Sequence, residues 1–390
     1  MAQHDSLISM MAQLIKLPSM SSVSPEFDHS NRAVIDLLAT WFEELGFSIK
    51  IDPLPNQPHK ANLLAHIGPL TANSQGLMLA GHTDTVPYDA QYWQFDPFTL
   101  REKEQRLYGL GTTDMKGFFA LIIEALKEVD LQKLKHPLFI LATADEESTM
   151  EGAIALAKQG CPYVSHAVIG EPTDLKPVRA HKGIMMEALR LVGHAGHSSN
   201  PALGTNALEA MHLAIADILQ WRAELQAKYR DDHFDVPVPT LNLGHIHGGD
   251  NPNRICEACE LHFDLRPVPG MSIEELREQF HQRMGHLFHN NPIKWETHSL
   301  AAGTPAMSTD KDAAIVKASE HCCSHIAQTA AFCTEGPYLS QLGIDTIILG
   351  PGNIAQAHQP DEYLALASIN PMVKILRQLI HQFCFRNGKQ

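Results

Sequence analysis

Gly81-His82-Thr83-Asp84-Thr85-Val86-Pro87 sets a histidine and an aspartate two residues apart, directly after the apolar run Leu77 to Ala80. Further donors follow in order: Asp114 in Gly-Thr-Thr-Asp-Met-Lys-Gly, the adjacent Glu146 and Glu147, Glu171 in Gly-Glu-Pro-Thr, and His358 near the C-terminus. Imidazole plus carboxylate suits zinc or a similar first-row divalent ion, whereas an all-oxygen set would favour magnesium or calcium. Three ligand carboxylates cannot crowd together unless cations offset them, and two divalent ions (about +4) balance Asp114, Glu147 and Glu171 (about −3) with one hydroxide (about −1). The chemistry implied is that of a two-metal hydrolase. Any one of the 23 histidines alone would read as an ordinary surface or core residue, and Glu146-Glu147 alone as a solvated acidic turn. Joint placement carries the signal.

That placement depends on the elements around the donors. Leu7, Met10, Met11, Leu14 and Ile15 have helical spacing up to Pro18, and Val34, Leu37, Leu38, Trp41 and Leu45 form a second stripe, with Gly46 in position to end it. Strands are expected at Ser48 to Asp52, Leu63 to Ile67, Leu77 to Ala80, Leu138 to Ala144 and Ala167 to Ile169, with helices from Gly117 through Leu126 and near Ala153 to Lys158. Near-continuously apolar strands alternating with helices predict an α/β sheet covered on both faces. His82, the Glu146-Glu147 pair, Glu171 and His358 each follow an apolar strand, at the carboxyl edge where open α/β sheets bind ligands.

After Lys182 the pattern changes. A strand at Ile184 to Val192 precedes a long helix striped by Leu208, Met211, Ile215, Ile218 and Leu219. Strands follow at Leu241 to His247 and Ile255 to Arg266, then a helix opened by Ser272-x-x-Glu275 and a strand at Ile293 to Thr297. The order βαββαβ predicts a ferredoxin-like α+β domain. Beyond Ser308 the α/β pattern resumes, with a helix around Ala313 to Glu320, a strand at Thr346 to Leu349 and a closing helix beyond Pro371. The expected domains are 1–182 and 301–390 as one catalytic unit, with 183–300 inserted.

Composition narrows the class. At 390 residues two domains are expected, and a net charge of −14 with no clustered Lys/Arg stripe argues against nucleic acid as a partner. The start Met-Ala-Gln-His-Asp-Ser-Leu lacks the basic flank and apolar stretch of a signal peptide, and no apolar run nears the ~20 residues that span a bilayer. A cytoplasmic protein without a membrane partner is the expectation. Seven cysteines, an odd number over a long chain, predict free thiols. Cys256-x-x-Cys259 has metal-like spacing but lacks a second pair nearby, and the vicinal Cys322-Cys323 reads as packing. His245-x-His247 reads as strand decoration.

Taken together, the motifs at 81–87, 111–117, 145–147 and 170–173 resemble those of the M20 family of co-catalytic metallohydrolases over essentially the whole chain. The resemblance implies a mixed-sheet, phosphorylase/hydrolase-like catalytic domain, two divalent ions (Zn2+ or Co2+), a small-molecule N-acyl amino acid as substrate, and a homodimer formed through the inserted lid domain. It implies that His82, Asp114 and Glu171 hold one ion, and Asp114, Glu147 and His358 the other. By the same likeness the Asp84 carboxylate accepts the hydrogen bond from the far nitrogen of His82 and so orients it, Glu146 is the general base, and His197 in Gly-His-Ala-Gly-His-Ser-Ser steadies the oxyanion, with the nearby His194 structural. Asn253 and Arg266 match substrate-binding positions, and Asp114 is followed by a cis peptide. A guanidinium suits a substrate carboxylate, and Glu335 is a candidate partner for a cationic side-chain amine, with a plain surface role as the alternative. The segments from Cys333 to Tyr338 and from Leu349 to Tyr363 resemble the members that deacetylate amino acids more than those that remove succinyl groups.

Overall fold

The computed structural model describes residues 6–70, 75–160 and 164–385. Met1 to Asp5, part of the stretch read for a signal peptide, and Cys161 lie outside the described residues. By Cα proximity the chain forms two units: residues 1–179, 309–328 and 334–390 make the larger, and 180–308 with 329–333 the smaller.

The larger unit opens with α1 (Leu7–Ile15), capped by the Ser6 hydroxyl accepting the Ser9 N–H, with Met10, Met11, Leu14 and Ile15 buried. Next, α2 (Arg32–Glu44) ends in a Schellman motif, in which Gly46 N–H donates to Glu43 O and Phe47 N–H to Phe42 O. Gly46 takes φ 89°, open to glycine at little cost. The strands β1 (Ser48–Pro53), β2 (Ala61–Ile67) and β3 (Gly76–His82) lead to the short hairpin β4 (Arg101–Lys103) and β5 (Arg106–Tyr108). Helix α3 (Gly117–Leu126) is buried at every residue but Glu124, in keeping with its apolar sequence. Then come β6 (Leu138–Thr143), α4 (Glu151–Gln159), β7 (Val164–Pro172) and β8 (Val178–His181), where the chain crosses to the smaller unit.

That unit holds β9 (Met185–Val192), α5 (Ala207–Lys228), β10 (Thr240–Gly248), β11 (Ala258–Arg266), α6 (Ile273–Leu287) and β12 (Lys294–Ser299). Its sheet runs β10-β11-β9-β12, all antiparallel, which is ferredoxin-like. Ser272 caps α6 by accepting the Glu275 N–H, as the capping-box spacing implies. The remaining elements are β13 (Met307–Ser308), α7 (Ala314–Cys323), β14 (Gln328–Ala330), α8 (Gly336–Gln341), β15 (Asp345–Gly350), β16 (Tyr363–Ala365) and α9 (Leu366–Ile380).

In the larger unit the strand order is β1-β2-β6-β3-β7-β15-β8, and the central β6, β3, β7 and β15 run parallel. The outer strands β1, β2 and β8 pair antiparallel, giving the mixed sheet expected. All of β3 and β6 is buried, so their continuous apolar runs reflect cover on both faces.

Two expectations shift. The chain crosses between units at 179/180 and 308/309, not at 182/183 and 300/301, and residues 329–333 go with the smaller unit. The closing helix begins at Leu366 and contains Pro371, because a proline early in a helix forfeits only one backbone bond while Ile369, Met372, Val373 and Leu376 bury the same face.

Candidate metal centre

The parallel strands deliver their C-terminal ends to one edge of the sheet, and the expected donors cluster there. His82 closes β3, Glu146 and Glu147 follow β6, Glu171 lies at the end of β7, and His358 is in the loop after β15. Asp114 comes from the turn before α3, and the peptide after it is cis, as the resemblance implies.

His82 is fully buried, and its Nδ1 donates to the Asp84 carbonyl at 3.0 Å. A carbonyl only accepts, so Nδ1 carries the proton in the neutral ring and Nε2 is left as the ligand atom. Nε2 lies 3.0 Å from Asp114 Oδ1 and 3.6 Å from Glu171 Oε1. The Asp84 carboxylate was expected to take that ring proton; instead its Oδ1 stands 3.6 Å away and Oδ2 accepts the Glu147 N–H at 3.0 Å. Asp84 therefore holds His82 by its main chain and the Glu147 turn by its side chain.

Asp114 divides its two oxygens between two histidines. Oδ1 faces His82, while Oδ2 is 3.6 Å from His358 Nε2, which also lies 3.0 Å from Glu147 Oε2. Two donor groups have ligand atoms within 4.8 Å of one another among the described residues: His82, Asp114 and Glu147, and His82, Glu146 and Glu171.

Electrostatics point the same way. Burial, then the Glu171 charge, pushes Glu146 well above the usual carboxylate range, and burial followed by Asp114 does the same to Glu171. Glu147 is raised by burial and by Asp114. Burial would raise Asp114 too, but the contact and charge of His82 together with the His358 charge outweigh this and hold it low. His358 is pushed up to about 9, first by its bond to Glu147. Acids packed this closely do not all ionise unless cations sit among them.

The orphaned atoms identify where those cations fit. Glu147 Oε1 and Glu171 Oε1 are buried without a hydrogen-bond partner. A buried charged oxygen without a partner costs several kcal/mol, which a bound divalent ion removes. The mixed imidazole and carboxylate donors suit zinc or cobalt.

A family model, peptidase family M20/M25/M40, matches residues 78–382. This chain belongs to the M20 family. Acetylornithine deacetylase of Edwardsiella ictaluri (strain 93-146) is 48% identical over 384 residues, covering 98% of this chain and 99% of that one. The enzyme of the same name from Proteus mirabilis (strain HI4320) is 47% identical over 377 residues, covering 97% and 96%. Among solved structures, aminopeptidase PepT from Bacillus cereus superposes with a TM-score of 0.75 at 16% identity, covering 97% of this chain and 98% of that one. As an M20 protein with this donor set, the chain is a metal-dependent hydrolase. No described helix is long and apolar enough to cross a membrane.

Other expected site residues are spread over both units. His197 is exposed in the loop after β9, where its Nδ1 accepts from the Ser199 hydroxyl at 2.7 Å. Ser198 N–H donates to the Asn253 carbonyl at 3.1 Å, so the His197 and Asn253 loops adjoin within the smaller unit. Arg266, on β11, already donates to Asp264 at 2.9 Å. Glu335 departs from the plain surface role given as its alternative, being only 1% exposed. Thr334 to Tyr338 are all buried, and burial pushes the Glu335 carboxyl up to about 7 beside Thr143. Cys256 and Cys259 are buried free thiols, the six described cysteines all being free, and His245 and His247 are exposed on β10.

Sequence reasoning passed over four residues. Lys60 Nζ lies 2.6 Å from both Asp28 Oδ1 and Asp145 Oδ1, and burial, which lowers its pKa, is outweighed by those bonds, which raise it. Asp145, at φ 60°, begins the turn that presents Glu146 and Glu147. Lys116 is fully buried, lowered by burial to about 7, and donates to the Leu17 carbonyl at 2.8 Å. Glu362 accepts the Gly111, Thr113 and Asp114 N–H groups at 3.0, 2.7 and 3.0 Å. A lysine directly before the largely apolar run Ala61 to Ala65 was the one visible hint.

Proposed function

We propose that this chain removes the acetyl group from N2-acetyl-L-ornithine, giving L-ornithine and acetate. The near-full-length 48% identity to an acetylornithine deacetylase carries this reading, and the Asp114 carboxylate facing both histidines supports a dinuclear hydrolytic centre beneath it. In this reading His82, Asp114 and Glu171 hold one divalent ion and Asp114, Glu147 and His358 the other, with Asp114 shared. The ions, zinc or cobalt, supply Lewis acidity and lower the pKa of water toward ~7.

The protein supplies the rest. Glu146 takes the proton from the attacking water as its oxygen bonds to the acetyl carbon, and later passes that proton to the leaving nitrogen as the C–N bond breaks. Burial and the charges of Glu171 and Glu147 raise its proton affinity, so it accepts a proton readily. His197 donates a hydrogen bond to the oxyanion, and Asn253 and Arg266 bind the substrate, Arg266 exchanging Asp264 for the amino acid's carboxylate. Glu335, buried beside Thr143, is the candidate partner for the cationic side-chain amine. The protein acts as a homodimer through the smaller unit, whose sheet edge β10 would pair with that of a second copy.

Side-by-side kinetics with added zinc or cobalt test the substrate. N-acetylornithine should surpass other N-acetyl amino acids and N-succinyl-diaminopimelate in kcat/KM. A preference for the succinyl compound would replace this reading with a desuccinylase, and no amide hydrolysis at all would remove it.

A further inference from the structure

Glu362 is a buried carboxylate that the proposed chemistry does not use, 1% exposed and four residues beyond His358. Its Oε1 accepts the N–H groups of Thr113 and Asp114 at 2.7 and 3.0 Å, and its Oε2 that of Gly111 at 3.0 Å. The turn from Gly109 to Asp114 precedes α3 and points these N–H groups at one place, a nest that needs an anion. Gly111, at φ 86°, gives the turn the shape that brings them together.

The same two segments are fastened side by side. Gly109 N–H donates to the Glu362 carbonyl at 3.0 Å, Thr113 Oγ1 to the Tyr363 carbonyl at 2.6 Å, and Tyr363 pairs with Tyr108 between β16 and β5. Asp361 holds the near end of the His358 loop by accepting the Gln94 and Phe95 N–H groups at 2.9 and 3.2 Å. Asp114 and His358 are distant in sequence, yet His358 Nε2 lies 3.6 Å from Asp114 Oδ2. Glu362 is the side chain that bonds the Asp114 N–H itself to the chain segment of the second.

We propose that Glu362 is a positioning residue that holds Asp114 opposite His358 and thereby sets the affinity for the divalent ion shared by Asp114, Glu147 and His358. This rests on the ligand reading given above. Glu362 touches neither substrate nor ion. An amide at this position keeps one oxygen for two of the N–H groups, but turns an NH2 toward the third.

The test measures zinc and cobalt binding to the purified full chain by chelator competition, with circular dichroism and thermal melts alongside. Glu362→Gln should weaken one of the two ions by roughly 10- to 100-fold, the scale of a lost outer partner of a metal ligand, and the other by less than about threefold. Thr113→Ala cuts the adjacent bond to Tyr363 but keeps the carboxylate cradle, and should bind both ions as the native chain does. If Glu362→Gln binds both ions normally, or Thr113→Ala weakens the same ion equally, the positioning role is wrong. His358→Ala separates the two layers: loss of one ion supports the ligand reading, whereas retention of both overturns that reading and this inference with it. If Glu362→Gln melts too low to assay, Glu362→Asp replaces it, and normal ion binding by that shorter acid would equally overturn the role.

Discussion

Lys60 Nζ sits 2.6 Å from Asp145 Oδ1, with both side chains almost wholly buried. A second contact of 2.6 Å ties Lys60 to Asp28, and Asp145 also accepts from Ser21 at 2.9 Å and Gln57 at 3.1 Å. The network ends one residue before Glu146. Lys60→Met should destabilise the fold by about 3–5 kcal/mol, because it strands the buried Asp145 carboxylate and the partly buried Asp28. Adding Asp28→Asn and Asp145→Asn should recover much of that loss in urea denaturation, while kcat stays depressed because the turn is no longer fixed. Recovery of both would show that the network serves stability alone.

The same ion pair has a pH signature. Its partners raise Lys60 above the ordinary 10.5, so its contribution is fully present below that value and lost as pH climbs through the folded pKa. The stability gap between the native chain and Lys60→Met should therefore stay level from pH 7 to about 10 and narrow above that. A gap that shrinks on going from pH 9 to 7 would contradict the sign.

Glu146→Gln should retain both ions while kcat falls by roughly 10² or more, the scale of a lost general acid-base. Elemental analysis and steady-state rates decide the matter. Loss of an ion, or a near-native rate, would remove Glu146 from the role of base.

The division of the Asp114 oxygens between His82 and His358 makes the metal variants unequal. His82→Ala should empty one position, and Asp114→Ala should impair both. Metal-to-protein ratios after dialysis check this; equal stoichiometry in the two variants would deny the sharing.

His197→Ala should lower kcat by about 10²–10³, as removal of an oxyanion donor does. Mixed with Glu146→Gln under conditions where subunits exchange, it should regain activity if His197 serves the partner's site. A mixture that exchanges but stays inactive excludes action across the dimer.

Four of the candidate donors were legible because each follows an apolar strand, so strand recognition brought His82, Glu147, Glu171 and His358 to one sheet edge, whereas Asp114 comes from the turn before α3. The residues that hold those donors were not legible. Glu362 and Asp145 work on backbone or buried partners far away in sequence, and such contacts leave no periodicity. The surface alternative for Glu335 failed for a related reason: a glutamate beside Thr334, Gly336 and Pro337 looks like a turn on the surface, yet it opens a helix whose first residues are all buried. Pro371 was read as a boundary, although the apolar stripe of α9 carries the helix through it.

Strand β15 lies between β7 and β8, parallel to β7, yet residues 180–308 are synthesised before it. On the ribosome, then, the larger unit must wait with the edge of β7 open until Gly350 has left the exit tunnel, while the contiguous βαββαβ segment can already fold. The nascent sheet is open to chaperones or to faulty pairing throughout that interval. His358 emerges later still, so the candidate donors cannot all come together until that residue has been made.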